Sequence, residues 1–263
     1  MVAVSGVSDA SRRLAERRLP EAPVVAPDEL VERSDLVLIC VPDDALADLV
    51  VGLAEVGAWR VGQLVAHTSG AHGVGVLEPA LRAGALPMAL HPVMTFAGRP
   101  EDLDRIAGIS YGVTAPEQLR PVAEALVIEM GGEPEWVAEE DRALYHAALT
   151  VGANHLVTLV ADAADLLRRA GVERPNEMLG PLLSAALDNV LRSGDAALTG
   201  PVARGDAGTI REHLITLRER ADDSVAAYVA MARLTADRAL ASGRLPAERA
   251  AALLDVLSER QHA

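Results

Sequence analysis

The sequence predicts an α/β fold in two parts, a doubly wound parallel sheet followed by an all-α region. Two observations carry this. Over the first 115 residues, short apolar runs alternate with segments of helical period, the pattern of strands joined by parallel crossovers. From Glu139 onward strand signals vanish and Ala/Leu-rich helical periodicity takes over. The division is placed between 1–138 and 139–263. Half of the residues are hydrophobic but only 2% are aromatic, so the core must be aliphatic.

Taken in order, Val2–Ser5 is a short apolar run ending in small residues. A helix at Ser8–Leu19 follows, with Ser8 as its N-cap. Pro23–Val25 is a second run, and Pro27–Arg33 a short helix. Asp35–Val41 (DLVLICV) is apolar after its first residue, as suits a strand buried on both faces. In the helix at Asp43–Val56, Leu46, Leu49, Val50 and Leu53 share one face. Strands follow at Gln63–His67, Leu86–Leu90 and Ile109–Thr114. Helices are expected at Val74–Ala83 and Pro116–Met130. In the second part helices are expected at Asp141–Ala170, Asn176–Ser193, Ala207–Leu240 (one or two) and Pro246–Glu259. Gly171 and Gly194 stand as helix stops.

Composition excludes several function classes. A net charge of -14 argues against nucleic acid and against a basic membrane-surface helix. All 24 basic residues are arginine, so no lysine can act as base, acid or Schiff-base former. The single cysteine, Cys40, reads as a small core hydrophobe. Seven histidines without H-x-x-x-H spacing give no metal site. The start lacks the features of a signal peptide, and no run approaches 18 uninterrupted apolar residues. The expectation is a cytoplasmic protein without membrane partners.

In a doubly wound sheet the ligand sits outside the carboxyl ends of the strands. The residues there differ from their surroundings: Ser5, Gly6 and Ser8; Pro42, Asp43 and Asp44, with Val41 before them as a further cofactor contact; His67, Thr68, Ser69 and Gly70; His91, Pro92 and Thr95. A dinucleotide fold normally opens with a strand and a G-x-G-x-x-G turn. That turn is absent, and Ser69–Gly75 (SGAHGVG) comes too late with another spacing. The expectation is that Met1 lies inside the domain and that Val2–Ser5 is the second strand of such a fold. Small hydroxyls at Ser5 and Ser8 with Arg12 nearby suit the extra phosphate of NADP, with NAD as the alternative. In the helical part, His146 and Asn154 are eight residues apart and share a face of the long helix. Thr199–Asp206 joins two helices; Asp206 is a candidate cap, and Arg204 a candidate to hold a carboxylate or phosphate.

HTSG at His67–Gly70, ALHPVMTF at Ala89–Phe96, YHAALTVGANHLVTL at Tyr145–Leu159 and GPVARGD at Gly200–Asp206 carry a resemblance over essentially the whole chain. They resemble a family of oxidoreductases predicted from sequence, common in actinobacteria. Its members join a Rossmann-like domain to a helical domain of unknown function. It is related to the 6-phosphogluconate dehydrogenase, ketopantoate reductase and pyrroline-5-carboxylate reductase group. The resemblance implies an NADP-dependent reductase of a small keto acid, with ketopantoate as one candidate, and a homodimer formed through the helical domain. Pro42, Thr68 and Ser69 would then border the nicotinamide. The related reductases use a lysine as proton donor, which this chain lacks, so His91, His146 or water would supply the proton. Asn154 would orient the substrate, with Thr95 and Arg204 as its ligands. The competing reading is a non-catalytic binding or assembly protein that keeps the reductase fold.

Overall fold

The computed structural model describes residues 1–258. They divide into two compact units, Met1–His155 and a second beginning at Leu156.

The first unit holds one five-stranded sheet. Its spatial order is β1 (Leu36–Ile39), β2 (Leu64–His67), β3 (Leu86–Pro92), β4 (Ser110–Thr114) and β5 (Glu133–Trp136). The pairs β1–β2, β2–β3 and β4–β5 are parallel. β3–β4 is antiparallel and sets His91 opposite Gly112. The segment between them carries only α5 (Glu101–Arg105), no crossover helix of the kind a parallel return uses. β5 has no apolar alternation (Glu-Pro-Glu-Trp) and was not legible in the sequence. It is an edge strand, where proline and charge are tolerated.

Helices α1 (Asp9–Arg18), α2 (Pro27–Arg33), α3 (Asp43–Glu55) and α6 (Arg120–Glu129) stand where periodicity places them. Ser8 caps α1 by accepting from the Ser11 amide at 3.0 Å. α3 packs Leu46, Val50 and Leu53 into a core with Val37, Ile39 and Val65. A second core joins Met88, Leu90, Tyr111 and Val113 to Ala123 and Val127 of α6. The single helix expected at Val74–Ala83 is a 3-10 turn (Val74–Leu77) and then α4 (Glu78–Arg82). Pro79 fits the first turn of a helix and not its interior.

Three expectations about the first forty residues are corrected. Val2–Ser5 is not a strand of the sheet; Val4 makes one isolated parallel bridge with Val24. Asp35–Val41 is not buried on both faces. Val37 and Ile39 are buried, but Leu36 and Leu38 are 41% and 49% exposed, because only the α3 side of β1 is covered. Cys40, on the same side as those leucines, is exposed rather than in the core.

The predicted long helix is two: α7 (Arg142–Gly152) and α8 (Asn154–Arg169), interrupted at Ala153. The interruption breaks the regular phase on which the expected alignment of His146 with Asn154 rested. By length and composition the run Glu139–Arg169 could cross a membrane, a property that counting uninterrupted apolar residues did not reveal; 6% of its most apolar window is buried.

In the second unit, α8 continues into α9 (Pro175–Ser193), α10 (Gly200–Arg204), α11 (Ala207–Arg220), α12 (Asp222–Ala241) and α13 (Ala247–Ser258). The core joins Ile210 and Leu214 of α11 to Ala236 and Ala239 of α12 and Leu253 and Val256 of α13. Asp206 caps α11 as expected, accepting from the Thr209 amide at 3.1 Å. α8 is tied to α12 by Ser224 donating to Asp162 at 2.6 Å and by a two-pronged Arg169–Asp223 pair. The last helix was expected to end at Glu259, which lies outside the described residues. Along α8 and α9, Val157, Met178, Leu182, Leu187 and Leu191 stay half or more exposed.

Candidate active site

The carboxyl ends of β2 and β3 hold a cluster of polar groups in the first unit. His67 ends β2 and is fully buried. Its Nδ1 accepts from the Ser69 amide at 3.2 Å, so Nε2–H donates to the Gly73 carbonyl at 2.8 Å. Burial, above all, pushes its pKa down to about 4. His67 is thus a neutral brace that folds the glycine-rich segment back over the strand end. Ser69 is buried, and its hydroxyl accepts from the His72 amide at 3.1 Å. Glu139 finishes the loop, taking the Val74 and Gly75 amides on its two carboxylate oxygens at 2.7 and 2.9 Å.

His91, in β3, is the centre of the cluster. Its Nδ1 lies 2.8 Å from the Tyr145 hydroxyl, and its ring meets the Tyr145 ring edge-on at 5.7 Å. His146 presents its own ring edge-on at 6.1 Å. Burial, followed by the charges of Arg142 and His146, lowers the His91 pKa to about 4. With its pKa at about 4, the His91 ring is neutral at pH 7.

Two glycines make room for this packing. A Cβ on Gly70 would lie 2.8 Å from His146 Cδ2 and 2.9 Å from His91 Nε2. A Cβ on Gly112 would lie 2.2 Å from the Tyr145 hydroxyl oxygen. The phenol therefore rests directly on the β4 backbone, opposite His91.

Behind it lies Arg142, 1% exposed in the first turn of α7. Its Nε donates to Thr114 Oγ1 at 2.9 Å, and Nη2 to the Gly112 carbonyl at 3.3 Å. Thr114 in turn donates to the Val137 carbonyl at 2.6 Å. Nη1 is buried with no hydrogen-bond partner. The guanidinium carbon lies 5.6 Å from the centre of the Tyr145 ring. Among the described residues no carboxylate pairs with it.

Of the residues singled out from sequence, His91 and His146 come together here. Asp43, in the first turn of α3, acts electrostatically on both His67 and His91. Val41 and Thr68 are half-buried at the same strand ends, and Pro42 is exposed. Thr95 is exposed in the loop after β3. Ser5 and Ser8 precede α1, whose exposed Arg12 pairs with Asp9 at 2.7 Å. Asn154 is exposed and opens α8. Arg204 belongs to the second unit; it is exposed, ends α10, and its carbonyl accepts from Arg249. Sequence reasoning missed Arg142 and the role of Tyr145. Their three-residue spacing, one helical face, was the available signal.

Fold and cluster together define the class: a Rossmann-like sheet with polar side chains gathered at its strand ends, joined to a helical unit. Residues 1–92 match the Rossmann-like domain and residues 109–235 match DUF2520, a domain of unknown function. The chain therefore carries these two domains in that order. Among solved structures it is similar to protein BF3122 from Bacteroides fragilis, at 23% identity and a TM-score of 0.72 over 90% of this chain and 88% of that one. An imine reductase from Myxococcus stipitatus, in complex with NADP+, matches at 17% identity and a TM-score of 0.60, covering 98% and 91%. A reductive aminase from Aspergillus terreus, in complex with NADPH and ethyl levulinate, matches at 18% and 0.60, covering 96% and 89%. A search of curated proteins found no match.

Proposed function

We propose that the chain is an NADP-dependent oxidoreductase that reduces a small keto acid. The observation that carries this is the cluster at the carboxyl edge of β2 and β3, where a hydrogen-bonded His91–Tyr145 pair sits between two obligatory glycines. This is where such a fold places the reacting end of a dinucleotide. Solved structures similar in fold were determined with NADP+ or NADPH. When bound, the cofactor would supply hydride; the chain's own part is to position the carbonyl and provide a proton.

The residues present fit the two ends of the cofactor. Val41, Pro42, Asp43, Thr68 and Ser69 border the strand ends where the nicotinamide would lie. Half-buried Ser5 and exposed Ser8 and Arg12 gather at the start of a ten-residue helix, suited to the ribose phosphate of NADP. Arg12 would exchange its exposed Asp9 partner for phosphate, since such surface pairs are worth about 0–1 kcal/mol. Isothermal calorimetry with NADPH and NADH tests the reading. Micromolar NADPH binding, weakened about tenfold by Arg12→Ala while NADH is unaffected, is the expected result. Binding of neither nucleotide would favour the non-catalytic reading.

The apolar faces of α8 and α9 support a homodimer through the helical region. Large exposed apolar patches mark interaction surfaces, and a self-complementary patch closes into a two-fold pair. A bilayer is the poorer occupant, because Asp162 and Arg169 tie α8 to α12. By light scattering the chain should run at twice its 27.6 kDa mass. Leu187→Asp with Leu191→Asp should halve it; a monomeric wild type would overturn the dimer.

A further inference from the structure

We propose that Tyr145, rather than His91, is the proton donor of the reduction, and that buried Arg142 is the positioning residue that readies its phenol. This rests on the reductase reading above. The chain has no lysine. His91 is neutral at working pH, so it has no imidazolium proton to give. The group in direct contact with it that carries a transferable proton at neutral pH is the Tyr145 hydroxyl.

The geometry gives each neighbour a part. With its proton on Nδ1, the neutral imidazole of His91 donates to the phenol oxygen across 2.8 Å. The phenol's own hydrogen is then free to point at a substrate. Gly112 lets the oxygen approach the β4 backbone. Arg142 places a permanent positive charge beside the ring, anchored by Thr114 and the Gly112 carbonyl. No carboxylate forms an ion pair with it among the described residues, and Glu139 acts on it only from a distance. A buried cation held without a directly bonded counter-ion is costly to keep, and it stabilises negative charge that appears only during reaction. The phenolate left by Tyr145 is that charge. Burial raises the Tyr145 pKa in the resting protein, and Arg142 opposes this. The charged or titratable groups acting on the His91–Tyr145 pair are Arg142, His146, His67 and Asp43.

The step balances. A bound reduced nicotinamide would supply the hydride to the carbonyl carbon, and the C=O π pair would become the new bond from oxygen to the phenol's proton. The Tyr145 O–H bond breaks and leaves phenolate. His91 Nδ1–H then reprotonates the phenolate while its Nε2 takes a proton from water, leaving hydroxide to the solvent, and exchange of the ring protons with solvent restores the Nδ1–H tautomer.

Two measurements on the full chain test this. Turnover of a keto-acid panel with NADPH is compared for wild type, Tyr145→Phe and Arg142→Gln. Nitrogen-15 histidine spectra are followed across pH for the same proteins. Tyr145→Phe should lower kcat about 100-fold, the usual scale of a lost general acid, with NADPH affinity unchanged. It should also shift the His91 Nδ1 resonance. Arg142→Gln should raise the pH at which His91 titrates and move the pH profile of kcat, which a purely structural arginine would not do. Turnover of Tyr145→Phe at the wild-type rate would overturn the donor role and leave the reductase reading standing. A wild type that neither binds NADPH nor reduces any substrate would overturn both. In that case the histidine spectra would still report whether Arg142 acts on His91.

Discussion

Gly112→Ala is expected to abolish turnover while leaving most of the sheet intact. The new methyl group would lie 2.2 Å from the Tyr145 oxygen and 2.5 Å from its ring carbon, far inside contact distance. The β4 backbone cannot retreat, because Gly112 pairs with His91 in the ladder. Tyr145 must therefore leave, and its bond to His91 goes with it. Overpacking of this kind costs about 1–3 kcal/mol, and losing a general acid costs roughly 100-fold or more in kcat. Adding Tyr145→Ala should recover the stability and none of the turnover. That non-additivity is the signature of two groups in direct contact. Chemical denaturation and kcat for the two single variants and the double variant provide the check. Independent, additive effects would mean that the phenol does not rest on Gly112.

Stability should also fall steeply as pH drops from 6.5 to 4. His67 and His91 each have a folded pKa of about 4, against about 6.5 for an unfolded histidine. Between those values the unfolded chain takes up protons that the folded chain refuses. Acid therefore favours unfolding, and the stability present above pH 6.5 is lost as pH falls towards 4. For fully depressed groups the limit is on the order of 3 kcal/mol each. Because His91 is only half-buried, about 3–5 kcal/mol for the pair is the sounder expectation. His67→Gln keeps a side-chain donor for the Gly73 carbonyl and should flatten roughly half of the slope. Urea midpoints at pH 7, 5.5 and 4 measure it, and an unchanged midpoint would show that these histidines titrate normally.

Much of the sheet was legible because buried parallel strands are short unbroken apolar runs, and LVLI, LVAH and LPMAL stand out between helical periods. β5 was not, because an edge strand needs no apolar alternation. The strand-end rule found His91, and the local sequence YH drew attention to His146. Arg142 was hidden for a physical reason. An arginine at the start of a helix, after Glu139, Glu140 and Asp141, reads as a solvated charge. Only the fold reveals that α7 presses it onto β4. The protonation state of His91 was likewise out of reach, since burial and a charge 51 residues further along the chain set it. The break at Ala153 carries no proline or glycine of its own, and only the neighbouring Gly152 hints at it.

The two edges of the sheet are guarded very differently. β5 presents Glu133, Pro134 and Glu135, a combination that repels an approaching strand and denies it a backbone donor. β1 presents Leu-Val-Leu-Ile, with two leucines in water and no strand on its outer side among the described residues. In crowded or warmed solution the chain therefore has one adhesive edge and one inert edge. Aggregates would grow from β1, and a charged residue in place of Leu38 would be the most economical way to keep the protein soluble at high concentration.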